Sequence, residues 1–116
     1  MTKSAEVDRC SWCHRPLAQR SGAGRPRLFC SRSHRQRAYE ARRRADELNV
    51  PPDQCIVATV DLRTLHDRLY RLEAAVEDVR ADLEAAHRAD DFRRAYEHLM
   101  DAVVDLVGTV VEPVRN

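Results

Sequence analysis

The sequence predicts a mostly α-helical fold: a small N-terminal metal-binding module that ends in a basic helix, then two long amphipathic helices. Three observations carry this. Four cysteine and histidine residues within the first 34 follow the spacing C-x2-C-x16-C-x3-H. An arginine-rich helical stretch begins beside the last of them and is stopped by Asn49, Pro51 and Pro52. Beyond residue 60, apolar residues recur at alternating steps of three and four, the period of a helix face.

The organisation follows in order. Residues 1–9 read as a flexible polar tail, 10–48 as the metal-binding module, 49–60 as a linker and 61–116 as a helical segment. Ile56, Val57, Thr59 and Val60 in the linker have the composition of a short strand. The chain of 116 residues is 43% apolar and 34% charged, which suits a soluble helical protein. Only 5% is aromatic, so the core falls to Leu, Val and Ala. The net charge of +1 conceals a split. Residues 1–47 hold twelve Lys and Arg against five Asp and Glu, and residues 48–116 hold eight against fourteen. The first part suits a polyanion and the second does not.

The candidate metal ligands are Cys10, Cys13, Cys30 and His34. A Cys-x2-Cys turn lets two thiolates grip one ion from a tight knuckle. Cys30 and His34, four apart, share one face of a first helical turn. Three thiolates and an imidazole form a closed tetrahedral set that suits one structural Zn2+, with no position left for a reacting water. The set and its ion sum to −1, which nearby arginines offset. Residues 10–48 contain few large apolar groups, namely Trp12, Leu17, Leu28, Phe29, Tyr39 and Leu48. So small a module cannot bury enough area to offset its ordering entropy. Structural zinc supplies about 10–16 kcal/mol in comparable peptides. His14 is an alternative fourth ligand. Cys10-Ser-Trp-Cys13-His14 also matches a c-type haem attachment string, but that chemistry needs export and leaves Cys30 and His34 unexplained. Cys55 stands alone and reads as a small buried hydrophobe.

The basic helix spans about residues 32–48, with Ser31 or Ser33 as its cap. It carries Arg32, Arg35, Arg37, Arg42, Arg43 and Arg44, and only Ala38, Tyr39, Ala41, Ala45 and Leu48 are suited to a core. A helix charged nearly all round needs a partner or full solvation. Arginine forks match phosphates and guanine edges, so duplex DNA is the expected partner. Arg25 and Arg27, in Gly24-Arg25-Pro26-Arg27, form an extended arm suited to a narrow minor groove. The rival reading is a protein–protein adaptor, with the helix docked on acidic helices.

In the last segment Leu62, Leu65, Leu69, Leu72, Val76, Val79, Leu83 and Ala86 form an a/d stripe. At 1.5 Å per residue that helix is roughly 40 Å long. Asp90 and Asp91 read as a cap and restart, and Phe92, Tyr96, Leu99, Val103, Leu106 and Val110 form a second stripe ending near Glu112. The two helices fit an intrachain hairpin or a coiled-coil dimer. Met100, Val104, Val107 and Val111 widen the third helix's apolar face, which favours a homodimer through residues 61–111. Arg68 with Glu73, and Asp82 with His87, are placed to attract across a parallel pair.

Several classes are excluded. No apolar run approaches the roughly 18 residues of a membrane helix, and Met1 to Arg9 have no hydrophobic leader, so a cytoplasmic location is expected. Thiols stay reduced there, which favours metal ligation over disulfides. Three glycines provide no phosphate-cradling loop, no nucleophile and base stand in a supporting context, and His66, His87 and His98 are isolated. No enzymatic role or small-molecule substrate is expected.

The stretch Cys10 to Arg43 resembles a family of small actinobacterial treble-clef-type zinc-finger proteins of poorly defined role. The likeness rests on Cys10, Cys13, Pro16-Leu17, Gly24-Arg25-Pro26-Arg27, Phe29, Cys30-Ser31, then Arg35-Gln36-Arg37-Ala38-Tyr39 and Arg42. It departs from the family pattern at His34, where a cysteine is expected, although histidine keeps the tetrahedral set. The resemblance covers about a third of the chain and implies a knuckle, a short β-hairpin and a ligand-bearing helix. It implies nucleic-acid binding only through the family, because treble clefs also bind proteins. The resulting expectation is a zinc-stabilised DNA-binding protein, a small transcriptional regulator or nucleoid-associated factor.

Overall fold

The computed structural model describes residues 7–18, 24–86 and 88–116. Three helices account for its regular structure: α1 (Arg32–Glu47), α2 (Thr59–Ala85) and α3 (Ala89–Val107). The described residues contain no strand, only two isolated antiparallel bridges, Arg9 with Pro16 and Val57 with Pro113. The expected hairpin falls partly on residues 19–23, outside the described ones. The chain divides into two units. One comprises residues up to Val57 together with Glu112–Asn116, and the other is Ala58–Val111. The last five residues thus belong with the N-terminal module, a partition that the linear division at residue 61 does not contain. Among the described residues, no helix is long and apolar enough to cross a membrane.

In the first unit, α1 begins where its cap requires. Ser31 is extended, and its hydroxyl accepts the backbone N–H of His34 at 3.2 Å. The helix ends two residues before Asn49, whose φ of 57° is the left-handed conformation that asparagine tolerates. The Val50 N–H reaches the Ala45 carbonyl at 2.8 Å and the Asn49 N–H reaches that of Asp46 at 3.1 Å, a Schellman end. Cys10, Trp12, Leu17 and Ala41 form the buried cluster, with Cys13, Phe29, Cys30 and Ala38 against it. Tyr39 and Leu48, read from the sequence as core candidates, are instead exposed, and Ala41 and Ala45 are the buried positions of α1. Trp12 and Leu17 fill the core opposite α1, so α1 meets it with alanines. Cys55 is also exposed, correcting the buried reading, because it lies in the turn-rich segment between α1 and the Val57 bridge.

The C-terminal residues close this unit. The Val114 N–H donates to the Ile56 carbonyl at 2.7 Å beside the Val57–Pro113 bridge. Glu112 accepts from Arg37 at 3.4 Å, and Arg115 donates to Glu40 at 3.0 Å.

In the second unit, α2 and α3 pack against each other as an antiparallel hairpin. Asp78 meets His98 at 3.1 Å, Arg71 meets Asp105 at 3.4 Å, and Arg68 donates to the Thr109 hydroxyl at 2.7 Å. Partner numbers fall as α2 numbers rise. Arg68, expected to pair with Glu73 across two parallel chains, is engaged within the hairpin. Its counterpart expectation for His87 lies outside the described residues. The turn into α3 is held by Asp91, which accepts the Arg88 backbone N–H at 3.1 Å. The Arg94 guanidinium adds a contact to the other Asp91 oxygen at 2.8 Å.

Two features differ from the periodicity reading. The most buried positions between the helices are Ala75, Ala95 and Ala102, not the Leu and Val stripe. Small side chains let the backbones approach, with Leu65, Leu72, Val79, Leu99, Val103 and Leu106 half-buried beside them and Leu69, Leu83, Phe92 and Tyr96 exposed. Also, α3 stops at Val107 rather than near Glu112. Gly108 caps it, and the chain beyond is drawn into pairing with Ile56 and Val57.

Candidate metal centre

Residues 8–17 form the knuckle. The Cys10 N–H donates to the Arg15 carbonyl at 2.9 Å, and the His14 N–H returns to the Cys10 carbonyl at 2.9 Å. The Leu17 N–H donates to Asp8 at 2.8 Å, which closes the two arms. His14 sits at φ 62°, the left-handed residue that reverses the chain. Its side chain is exposed and outside the ligand group, so His34 completes the set. The Ser11 N–H donates to the Leu28 carbonyl at 2.8 Å, which ties the knuckle to the segment that delivers Cys30.

The ligand atoms of Cys10, Cys13, Cys30 and His34 all lie within 4.8 Å of one another. Cys13 Sγ is 3.8 Å from Cys30 Sγ, and His34 Nδ1 is 3.1 Å from Cys30 Sγ and 4.0 Å from Cys10 Sγ. Around a tetrahedral zinc with ordinary bond lengths, two sulfurs stand about 3.8 Å apart, and sulfur and nitrogen about 3.6 Å. The four side chains could therefore hold one metal ion, and the donor set is consistent with zinc. Each ligand is placed by a local rule: the first two by the Cys-x2-Cys turn, Cys30 by the bend just before the Ser31 cap, and His34 by the first turn of α1.

The electrostatics suit a cation. Burial pushes the Cys10 thiol up. The backbone N–H groups of Cys13, Cys30 and Trp12, with the His34 ring, outweigh that and bring it from 9.0 to about 5. The Trp12 N–H points at Cys10 Sγ at 3.4 Å. These donors favour the thiolate. Burial and the neighbouring Cys13 and Cys10 sulfurs push the Cys30 thiol up. Three thiols packed this closely are the arrangement in which a divalent ion replaces protons.

The expected nucleic-acid residues do not stay together. Arg37 pairs with Glu112. Arg42 contacts Asp46 at 2.8 Å and donates to the carbonyls of Val50 at 2.7 Å and Pro51 at 3.4 Å. Arg43 lies 3.5 Å and Arg44 3.3 Å from Glu47. Arg32 and Arg35 are exposed, and no side-chain hydrogen bond or ion pair engages them among the described residues. Arg25 and Arg27 are exposed in the segment leading to Cys30, and Arg27 is engaged with another residue. Sequence reasoning missed Glu112 and Arg115 as neighbours of α1, and no local signal marks them.

Comparison with models of protein families, with curated proteins and with solved structures finds no match.

Proposed function

We propose that this chain is a zinc-stabilised, treble-clef-type DNA-binding protein of the cytoplasm, a small transcriptional regulator or nucleoid-associated factor. The observation that carries the reading is the convergence of Cys10, Cys13, Cys30 and His34 at the first turn of α1. One Zn2+ in that set supplies a rigid tetrahedral node. Cys30 and His34 then hold the N-terminus of a helix whose outer side carries arginines, as recognition helices require. A structural ion with four protein ligands leaves no reaction to perform, so binding is the role left to the module.

A second copy joins through α2 and α3. At 3.6 residues per turn, the apolar stripes of both helices are offset in the same sense from the alanine seam. In an antiparallel hairpin that puts them on one side, opposite the Asp78–His98 and Arg71–Asp105 pairs. Leu69, Leu83, Phe92, Tyr96 and Val107 are exposed there, Val107 at 78%. Pairing two such faces buries them in a four-helix bundle and gives the protein two basic modules.

The test is a gel shift with random-sequence duplex DNA, with and without a strong chelator, across a salt series. Binding that needs the metal, with log K falling by about 0.9 per phosphate neutralised as log salt rises, supports the reading. No binding, or a slope near zero, overturns it. Sedimentation gives the oligomeric state, and a monomer at tens of micromolar defeats the dimer.

A further inference from the structure

The arginines of α1 fall into two sets that the sequence does not separate. Arg37, Arg42, Arg43 and Arg44 are committed within the unit, to Glu112, to the α1 C-terminus and, for the last two, to Glu47. Arg32 and Arg35 are exposed, and their side chains are engaged by no described residue. They line one side of a shallow groove of about 420 Å3 with Gln36 and Tyr39. Positions 32, 35, 36 and 39 follow one another at helical spacing and make a single stripe along the solvent side of α1.

Each member has a matching chemistry. Tyr39 is 63% exposed, in a unit too short of apolar bulk to leave an aromatic outside for packing reasons. Gln36 presents an amide, anchored lightly by a 3.3 Å bond to Glu40. The Glu40 carboxylate beside it is paired by Arg115, so the one acidic neighbour does not oppose an anion. No acidic residue stands in the first turn of α1.

We infer that Arg32, Arg35, Gln36 and Tyr39 form a base-reading stripe that enters the major groove of duplex DNA, making the protein sequence-selective. This rests on the DNA-binding reading above. An arginine fork matches the O6 and N7 edge of guanine, and a glutamine amide matches the N6 and N7 edge of adenine. Seven residues of helix rise about 10 Å, the length of about three stacked base pairs. Tyr39 lies at the far end and packs against the groove wall. Arg37, Arg42 and Arg44 make no DNA contact.

The experiment uses the zinc-loaded full chain. Wild-type protein is allowed to enrich sequences from a random duplex pool, and affinities for enriched and starting pools are then compared. Enrichment of a short motif is expected. R32A and R35A each lower affinity for the enriched duplex about tenfold and relax its preference at the contacted base pairs, with a smaller loss for the starting pool. R32K and R35K keep the charge and the binding to the starting pool without restoring the preference for the motif. Q36A and Y39A keep binding to the starting pool but narrow its difference from the enriched one. R44A leaves affinity and slope unchanged. Metal content and melting temperature identify any variant that has merely unfolded, and the Lys variants retain the test in that event. Wild-type binding with no enrichment, or binding unchanged in R32A and R35A, overturns the stripe and leaves the DNA-binding reading standing. No binding by wild type overturns both.

Discussion

The Ser31 hydroxyl accepts the backbone N–H of His34 at 3.2 Å, so the residue between two metal ligands is also the cap of the helix that carries the second. Helix initiation and ligand placement are therefore one event. Ser31→Ala removes the cap, at a cost of about 1 kcal/mol. It is expected to lower both the melting temperature and the affinity for zinc, the latter read by competition with a chromophoric chelator. Unchanged zinc affinity would separate the cap from the site.

Metal removal should act on one unit. A strong chelator, or Cys30→Ser, is expected to melt α1 and the knuckle while leaving the hairpin. Most of the circular-dichroism helix signal then survives, because α2 and α3 hold 27 and 19 residues against 16 in α1. Elemental analysis should find one zinc per chain in the untreated protein and none after Cys30→Ser. An intact spectrum and melting curve in a metal-free preparation would refute a structural ion.

The thiol chemistry sets a pH dependence. Cys10 is depressed from 9.0 to about 5, so its contribution to the folded state is full above 9 and is lost as pH falls through about 5. Cys30 is raised and holds its proton in the metal-free protein at neutral pH. Loading zinc at pH 7 is thus expected to release a proton from Cys30 and none from Cys10. Proton release into weak buffer and thiolate ultraviolet absorbance measure this, and occupancy should fall steeply as pH approaches 5.

Arg42 is a stability residue. Its guanidinium satisfies the carbonyls of Val50 and Pro51 past the end of α1 and pairs with Asp46. Arg42→Ala should cost about 1–2 kcal/mol, a fall of several degrees in melting temperature. DNA affinity at a temperature where the variant stays folded should not change.

Truncation after Val111 removes the Val114–Ile56 hydrogen bond and the Arg37–Glu112 and Arg115–Glu40 pairs. Each exposed pair contributes at most about 1 kcal/mol. The truncated chain should lose about 1–3 kcal/mol in the zinc-loaded unit, read by chemical denaturation followed through Trp12 fluorescence. An unchanged midpoint would show that the tail does not hold the module.

The ligand set, the start and stop of α1 and the existence of two long helices were legible in the amino-acid sequence. Each is governed by neighbours within about one helical turn: Cys10 with Cys13, Cys30 with His34, Ser31 at the cap, Asn49 and Pro51 at the stop. The tertiary structure alone decided the rest. It placed Glu112 and Arg115 against α1, which withdrew Arg37 from solvent partners while leaving Arg32 and Arg35 outside. It centred the hairpin on Ala75, Ala95 and Ala102, leaving part of the Leu and Val stripe half-buried and part exposed. It ended α3 at Gly108, because residues beyond it pair with a segment some 55 positions earlier. Periodicity reports which side of a helix is apolar, but not which neighbour reaches it, and charge counts do not reveal which charges have already found each other.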